Sequence, residues 1–133
     1  MKINKITALL FAEDLAPCVK FWAERAGFEK TIEVPDGNNL AFVALQKDGV
    51  ELMYQSFASA DKDFPAISRA VRQGPTFLYI DVENVDEFID AMEGVQVSMP
   101  VRTTFYGAKE FGVKDPAGHY ITFAQQGVAA AAH

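Results

Sequence analysis

The chain is written twice. Phe11-Ala12-Glu13-Asp14-Leu15 follows an apolar run near the start, and Ile80-Asp81-Val82-Glu83-Asn84-Val85 follows another about seventy residues later. In both places a strand-like segment reaches an acidic turn and then a helix-like stretch. A second pair of segments completes the copy, residues 40–55 in one half and 110–125 in the other, each broken at Gly. Repeated units of this kind exist because neither copy buries its apolar face alone. The order read in each copy is β-α-β-β-β. The expected fold class is therefore α+β: two βαβββ repeats, about residues 1–60 and 75–126, within one domain spanning 1–133. They are expected to form a mostly antiparallel, eight-stranded incomplete barrel with a central cleft that holds the function.

Local patterns fill in the elements. Residues 3–11 read as a first strand with both faces largely apolar, expected to be covered on both sides. Asp14 as a cap or Pro17 in the first turn suits the following helix, whose Cys18, Phe21, Trp22 and Arg25 recur at helical spacing before Ala26-Gly27. Residues 28–34 read as a strand, and 40–45 with 50–55 as a hairpin turning at Lys47-Asp48-Gly49. Residues 56–74 are polar and mixed, a long connection with a short helix seeded at Phe64-Pro65-Ala66-Ile67. The second copy opens with a strand at 76–82. Asn84 and Glu87 form a capping box, and Val85, Phe88, Ile89 and Met92 form a buried stripe. A strand at 95–101, kinked at Pro100, leads to a turn-rich loop at 103–108. A last hairpin crosses Asp115-Pro116-Ala117-Gly118. The tail, residues 127–133, reads as a frayed end.

Composition removes several functions. The formal net charge is −6, and the basic residues are scattered. Nucleic-acid backbones and anionic membranes call for basic clusters, so neither is an expected partner. Cys18 is the only cysteine, which leaves no intrachain disulfide and no thiolate cluster. No signal-type or membrane-length apolar run occurs, and the expected location is the cytoplasm.

The motifs resemble the vicinal oxygen chelate superfamily, the group of glyoxalase I, the extradiol dioxygenases and the bleomycin-resistance proteins. The resemblance rests on residues 6–15 leading into Phe21-Trp22, on Gly49-Val50-Glu51-Leu52, and above all on Tyr106-Gly107-Ala108-Lys109-Glu110-Phe111 running into Asp115-Pro116-Ala117-Gly118-His119. The last run looks most like the antibiotic-resistance branch. By resemblance, metal-dependent members fill four inward positions with His, Glu or Gln. Those positions fall here on Thr7, Glu51, Phe77 and Thr122, and a slip at the third offers only Thr76 or Leu78. Only Glu51 is a usual ligand type. His119 lies beside the expected position, and His133 lies in the tail. No metal and no cofactor are expected.

Strand alternation extends the inward set to Leu9, Phe11, Met53, Tyr79, Asp81, Tyr120 and Ala124, with Phe105 and Tyr106 in a loop over the mouth. Such a lining suits a planar or amphipathic molecule held by rings and a few polar contacts. The expected ligand-binding residues are thus Thr7, Leu9, Phe11, Glu51, Met53, Phe77, Tyr79, Phe105, Tyr106, Tyr120 and Thr122, with no catalytic residue. Glu51 either hydrogen-bonds a neighbouring Tyr or Thr or meets a cationic or donor group on the ligand. The resemblance implies metal-independent sequestration of a small compound by a homodimer. The alternatives are a glyoxalase- or dioxygenase-like enzyme with an altered centre, or an interaction module whose cup has collapsed.

Overall fold

A computed structural model describes residues 1–131; the last two residues of the tail, His133 among them, lie outside the described residues. The chain divides into two compact units, Met1–Gly74 and the segment from Pro75 onward. Each unit carries one βαβββ copy. The first contains β1 (Ala8–Ala12), α1 (Ala16–Ala26), β2 (Glu29–Asp36), β3 (Asn39–Lys47) and β4 (Val50–Ser56), followed by α2 (Phe57–Asp63) and α3 (Pro65–Val71). The second contains β5 (Phe77–Asp81), α4 (Val85–Ala91), β6 (Val97–Thr103), β7 (Ala108–Lys114) and β8 (Tyr120–Gln126). The two sheets have the same order, β1-β4-β3-β2 and β5-β8-β7-β6. In each, the first strand runs parallel to the last and the other pairs are antiparallel.

One face of each sheet is covered by its own helix. In the first unit, Leu10, Val43, Leu45, Leu52 and Tyr54 are buried with Cys18, Phe21 and Trp22 of α1. The Trp22 indole donates to the Tyr54 hydroxyl at 2.7 Å, which satisfies two polar groups in an otherwise apolar layer. In the second unit the same role falls to rings alone: Phe88 of α4 stacks on Phe123 with centroids 4.7 Å apart. Val85 and Met92 are buried beside them. Helix α1 ends at Gly27, whose φ of 73° is left-handed and lets its N–H reach the Trp22 carbonyl. The β3–β4 turn places Asp48 and Gly49 both at positive φ, as a two-residue hairpin requires.

Three local expectations change, and the choice at the start of α1 falls to Pro17. The first strand begins at Ala8, not residue 3, because β4 begins at Val50 and the register leaves nothing opposite the residues before Ile6. Ile6 is accordingly 91% exposed. That strand is covered on one face only, since Leu10 and Ala12 are buried while Leu9 is exposed. Helix α1 starts after Leu15 with no side-chain cap; Pro17 occupies its first turn, and Asp14 accepts from the Ala16 N–H at 3.2 Å. The mixed connection holds two helices. Ser56 caps α2 by accepting from the Ser59 N–H, and Pro65 starts α3. Arg72 ties this segment together, lying 4.4 Å over the Phe57 ring, bonding Asp61 at 3.0 Å and reaching Glu13 at 3.4 Å. Ser68 donates to the same Asp61 carboxylate. These ties connect distant residues, so helical periodicity alone does not reveal them. Asn84 caps α4 as expected, but it accepts from the Asp86 N–H at 3.1 Å and not from Glu87, the partner that the capping box names.

Candidate functional site

The face of the second sheet turned away from α4 carries the densest polar arrangement in its unit. On β7, Phe111 and Val113 belong to the buried layer, so alternation sends Glu110, Gly112 and Lys114 to the other face. Tyr79 of β5 and Thr122 of β8 are register partners on that face, and Glu110 is opposite Ala124. Glu110 is 1% exposed. Four donor groups surround its carboxylate. The Tyr79 hydroxyl reaches Oε2 at 2.6 Å and the Tyr106 hydroxyl reaches the same oxygen at 2.8 Å. Arg102, opposite Glu110 across the β6–β7 ladder, gives Nε at 3.0 Å and Nη2 at 2.8 Å to Oε1. The Gln126 amide then donates to the Tyr79 oxygen at 3.1 Å.

Burial pushes the Glu110 carboxyl up, but the donors Tyr79, Tyr106 and Arg102 outweigh it and hold the group below the usual carboxylate range. The same contact works in reverse on Tyr79, whose phenol is raised by its bond to Glu110. The carboxylate is therefore ionised, and Arg102 supplies its counter-charge. A buried carboxylate without that set would be costly.

Rings flank this cluster. Phe77, two residues before Tyr79 on the same face, stacks on Tyr120 with centroids 6.4 Å apart, and Lys114 Nζ lies 5.1 Å from the Tyr120 ring. Phe105 meets Tyr106 edge to face at 5.2 Å. Phe77, Tyr79, Phe105 and Tyr106 are each at least half exposed. Gly112 leaves room where a Cβ would meet Ser98 Oγ at 2.8 Å and Met99 Cβ at 3.0 Å.

The face of the first unit's sheet turned away from α1 is simpler. Leu9 and Met53 are register partners there, and Phe11 lies stacked with Phe57 at 6.3 Å. Glu51 accepts from Lys5 at 2.9 Å and from Thr7 at 3.3 Å. Its side chain is 18% exposed, and the Lys5 contact is the main cause that lowers its pKa, with partial burial opposing. Of the two readings of Glu51, the local bond to a threonine is the one present, with a lysine added. A shallow depression of about 370 Å³, lined by Pro35, Asp36, Ala41, Ser59, Lys62 and Asp63, opens elsewhere on this unit and includes none of the expected ligand-binding residues.

The structure thus groups Phe77 with Tyr120, Tyr79 with Tyr106 through Glu110, Thr7 with Glu51, and Leu9 with Met53. Thr122 is on the expected face but only 4% exposed. Alternation alone did not single out Glu110, Arg102 or Gln126. The available signal is parity: a glutamate between Ala108 and Gly112, out of phase with Phe111 and Val113, has to sit on the face turned away from α4 and needs partners there.

Residues 2–123 match the Glyoxalase/Bleomycin resistance protein/Dioxygenase superfamily. The chain belongs to this superfamily. Solved structures of the same fold include TioX from Micromonospora sp. ML1, with a TM-score of 0.76, 18% identity and coverage of 93% of this chain and 99% of that one. Lactoylglutathione lyase from Agrobacterium tumefaciens gives 0.75 and 19%, covering 93% and 95%. TnmS3, an antibiotic binding protein from Streptomyces sp. CB03234, gives 0.71 and 18%, covering 96% and 99%. No curated protein matches the chain significantly.

Within the superfamily, the four positions taken from the resemblance offer one carboxylate, two hydroxyls and a phenyl ring: Glu51, Thr7, Thr122 and Phe77. That donor set does not fit a divalent transition metal. Glu51 is already engaged by Lys5. His119, the histidine next to the fourth position, is buried and accepts from the Thr76 N–H through Nδ1 at 2.8 Å. Among the described residues, no group of three or more His, Cys, Asp or Glu is placed to hold a metal ion. Among the described residues, no helix is long and apolar enough to cross a membrane.

Proposed function

We propose that the protein binds and sequesters a small aromatic or amphipathic compound without a metal, on the sheet faces that its helices leave uncovered. The observation that carries this reading is the set of half-exposed rings around the buried Glu110. Rings left this open, beside fixed polar groups, can receive a flat partner by stacking while the polar groups set its orientation. Covering each ring contributes roughly 1–3 kcal/mol. The antibiotic-binding relative TnmS3 shares the fold and supports the same class of ligand. The exposure of Phe77 and Tyr79 speaks against a collapsed, purely structural face.

The proposed contacts are Thr7, Leu9, Phe11, Glu51 and Met53 in the first half and Phe77, Tyr79, Phe105, Tyr106, Tyr120 and Thr122 in the second. Glu51 is the weakest member, because a cationic ligand would have to displace Lys5. We further propose a homodimer in the cytoplasm; sedimentation equilibrium of the purified protein tests the dimer, and fractionation of cells tests the location. The function is tested by thermal unfolding with a panel of planar aromatic compounds, after chelator treatment and again with zinc, nickel, manganese and iron. A binder should raise the midpoint by mass action equally in both conditions. Stabilisation that requires a metal would refute the metal-independent reading.

A further inference from the structure

The Glu110 cluster bears on which polar group a ligand would carry. A buried carboxylate beneath rings first suggests a cationic ligand. The geometry argues otherwise. Both Glu110 oxygens are saturated by donors from the protein: two hydroxyls on Oε2, and Nε and Nη2 of one guanidinium on Oε1. A cation arriving from solvent would have to break that set to reach an oxygen that is 1% exposed.

Arg102 faces the other way. A guanidinium is a planar fork of five N–H groups. Its Nε and Nη2 point at Glu110, so Nη1 and the second Nη2 hydrogen lie on the opposite side of the fork. The Arg102 side chain is 55% exposed, whereas the carboxylate that neutralises it is hidden. The outermost full charge of the cluster is therefore positive, held in one orientation by its own buried partner. Next to it stands the exposed Tyr106–Phe105 ring pair. The Tyr79 and Tyr106 hydroxyl hydrogens are committed to Glu110, and the Tyr79 oxygen also accepts from Gln126, so neither hydroxyl is a donor for a ligand.

Resting on the small-molecule reading, we propose that the ligand is a planar aromatic bearing an oxyanion, a carboxylate or phenolate, that pairs with the outward edge of Arg102 while its ring lies against Tyr106 and Phe105. Glu110 is a positioning residue: it aims Arg102 and touches no ligand atom. Arg102 is well suited to this, because its fork matches a carboxylate bidentately and such bonds are stronger than neutral ones.

The test uses the full chain and three probes with one ring system: naphthoate, naphthol and naphthylmethylamine, titrated calorimetrically at low salt. Naphthoate should bind the parent about tenfold more tightly than the amine, as one charge-assisted pair implies. Arg102→Gln should cost naphthoate about tenfold while naphthol changes less than about twofold. Because that variant strands Glu110, the double variant Arg102→Gln with Glu110→Gln replaces the ion pair by an amide pair. It should lose the preference for naphthoate in the same way. An amine that binds the parent as well as naphthoate does would overturn the proposal and leave the aromatic-binding reading standing. So would a preference for naphthoate that survives in the double variant. If none of the three probes binds the parent, the aromatic-binding reading fails, and the proposal with it.

Discussion

In the first half, Glu51 sits near the start of its strand, and Lys5 reaches it from an exposed segment. In the second half, Glu110 sits in mid-strand, nine-tenths and more out of water, with three side chains from three other places in the unit closing over it. The strand order is the same in both halves, and each helix-free sheet face carries a carboxylate. The helix-covered faces differ in the opposite sense: the first half buries a Trp–Tyr hydrogen bond and the second an all-carbon stack. A repeated scaffold thus fixes where residues lie. Which copy holds an organised polar site depends on whether the surrounding strands supply partners for a charge. Tyr79, Arg102 and Tyr106 do so in the second copy only.

That contrast can be broken experimentally, most forcefully at the carboxylates. Glu110→Ala removes four donor contacts to one carboxylate, though Arg102 keeps its access to water, and should destabilise the protein by about 2–3 kcal/mol in urea unfolding. Glu51→Ala removes a screened surface contact and should leave the unfolding midpoint unchanged within error. Equal losses from the two variants would erase the distinction between the halves.

On the helix-covered side, Tyr54→Phe leaves the buried Trp22 N–H without its acceptor and should cost about 1–2 kcal/mol by the same measurement. No loss would mean that the first half's core does not depend on this bond. Tyr106→Phe removes one of four donor contacts to Glu110 and should cost about 1 kcal/mol. The Tyr106→Phe loss should shrink in a Glu110→Gln background if the two act as one network.

The finest distinction lies in pH. The folded Glu110 carboxyl is held below its unfolded value, so its contribution is fully present above the unfolded carboxyl range of about 4.3 and is lost as pH falls through the lower folded value. Stability measured from neutral pH into that acid window should fall less steeply in Glu110→Gln than in the parent. Glu51→Gln should change the slope far less, because Lys5 and Thr7 act on it at the surface. Identical acid slopes for Glu110→Gln and the parent would contradict the ionised, internally paired state.

Much of this architecture was legible in the sequence. Alternation assigned the faces: Leu10, Leu52, Ile121 and Phe123 are buried, whereas Leu9, Phe77 and Tyr79 are exposed. Turn chemistry at Asp48-Gly49 and the Asn84 cap set the boundaries nearby. Helices α2 and α3 were the harder case, because Arg72 fixes them through Phe57, Asp61 and Glu13 and no amphipathic period announces those contacts. The Glu110 cluster was hidden for a related reason. Its members come from β5, β6, β7 and the turn after β6, and only the register of three ladders shows that they meet. Glu51 stands at a position that the family resemblance marks, whereas Glu110 lies inside the motif that carries the resemblance but at no position that it marks.

The most direct test is an amide chemical-shift map of the isotopically labelled protein titrated with naphthoate. The account predicts perturbations centred on Tyr79, Arg102, Phe105, Tyr106 and Glu110, saturating at one site per chain. Perturbations confined to Pro35-side residues such as Asp36, Ser59 and Lys62, with the Glu110 cluster unmoved, would contradict it.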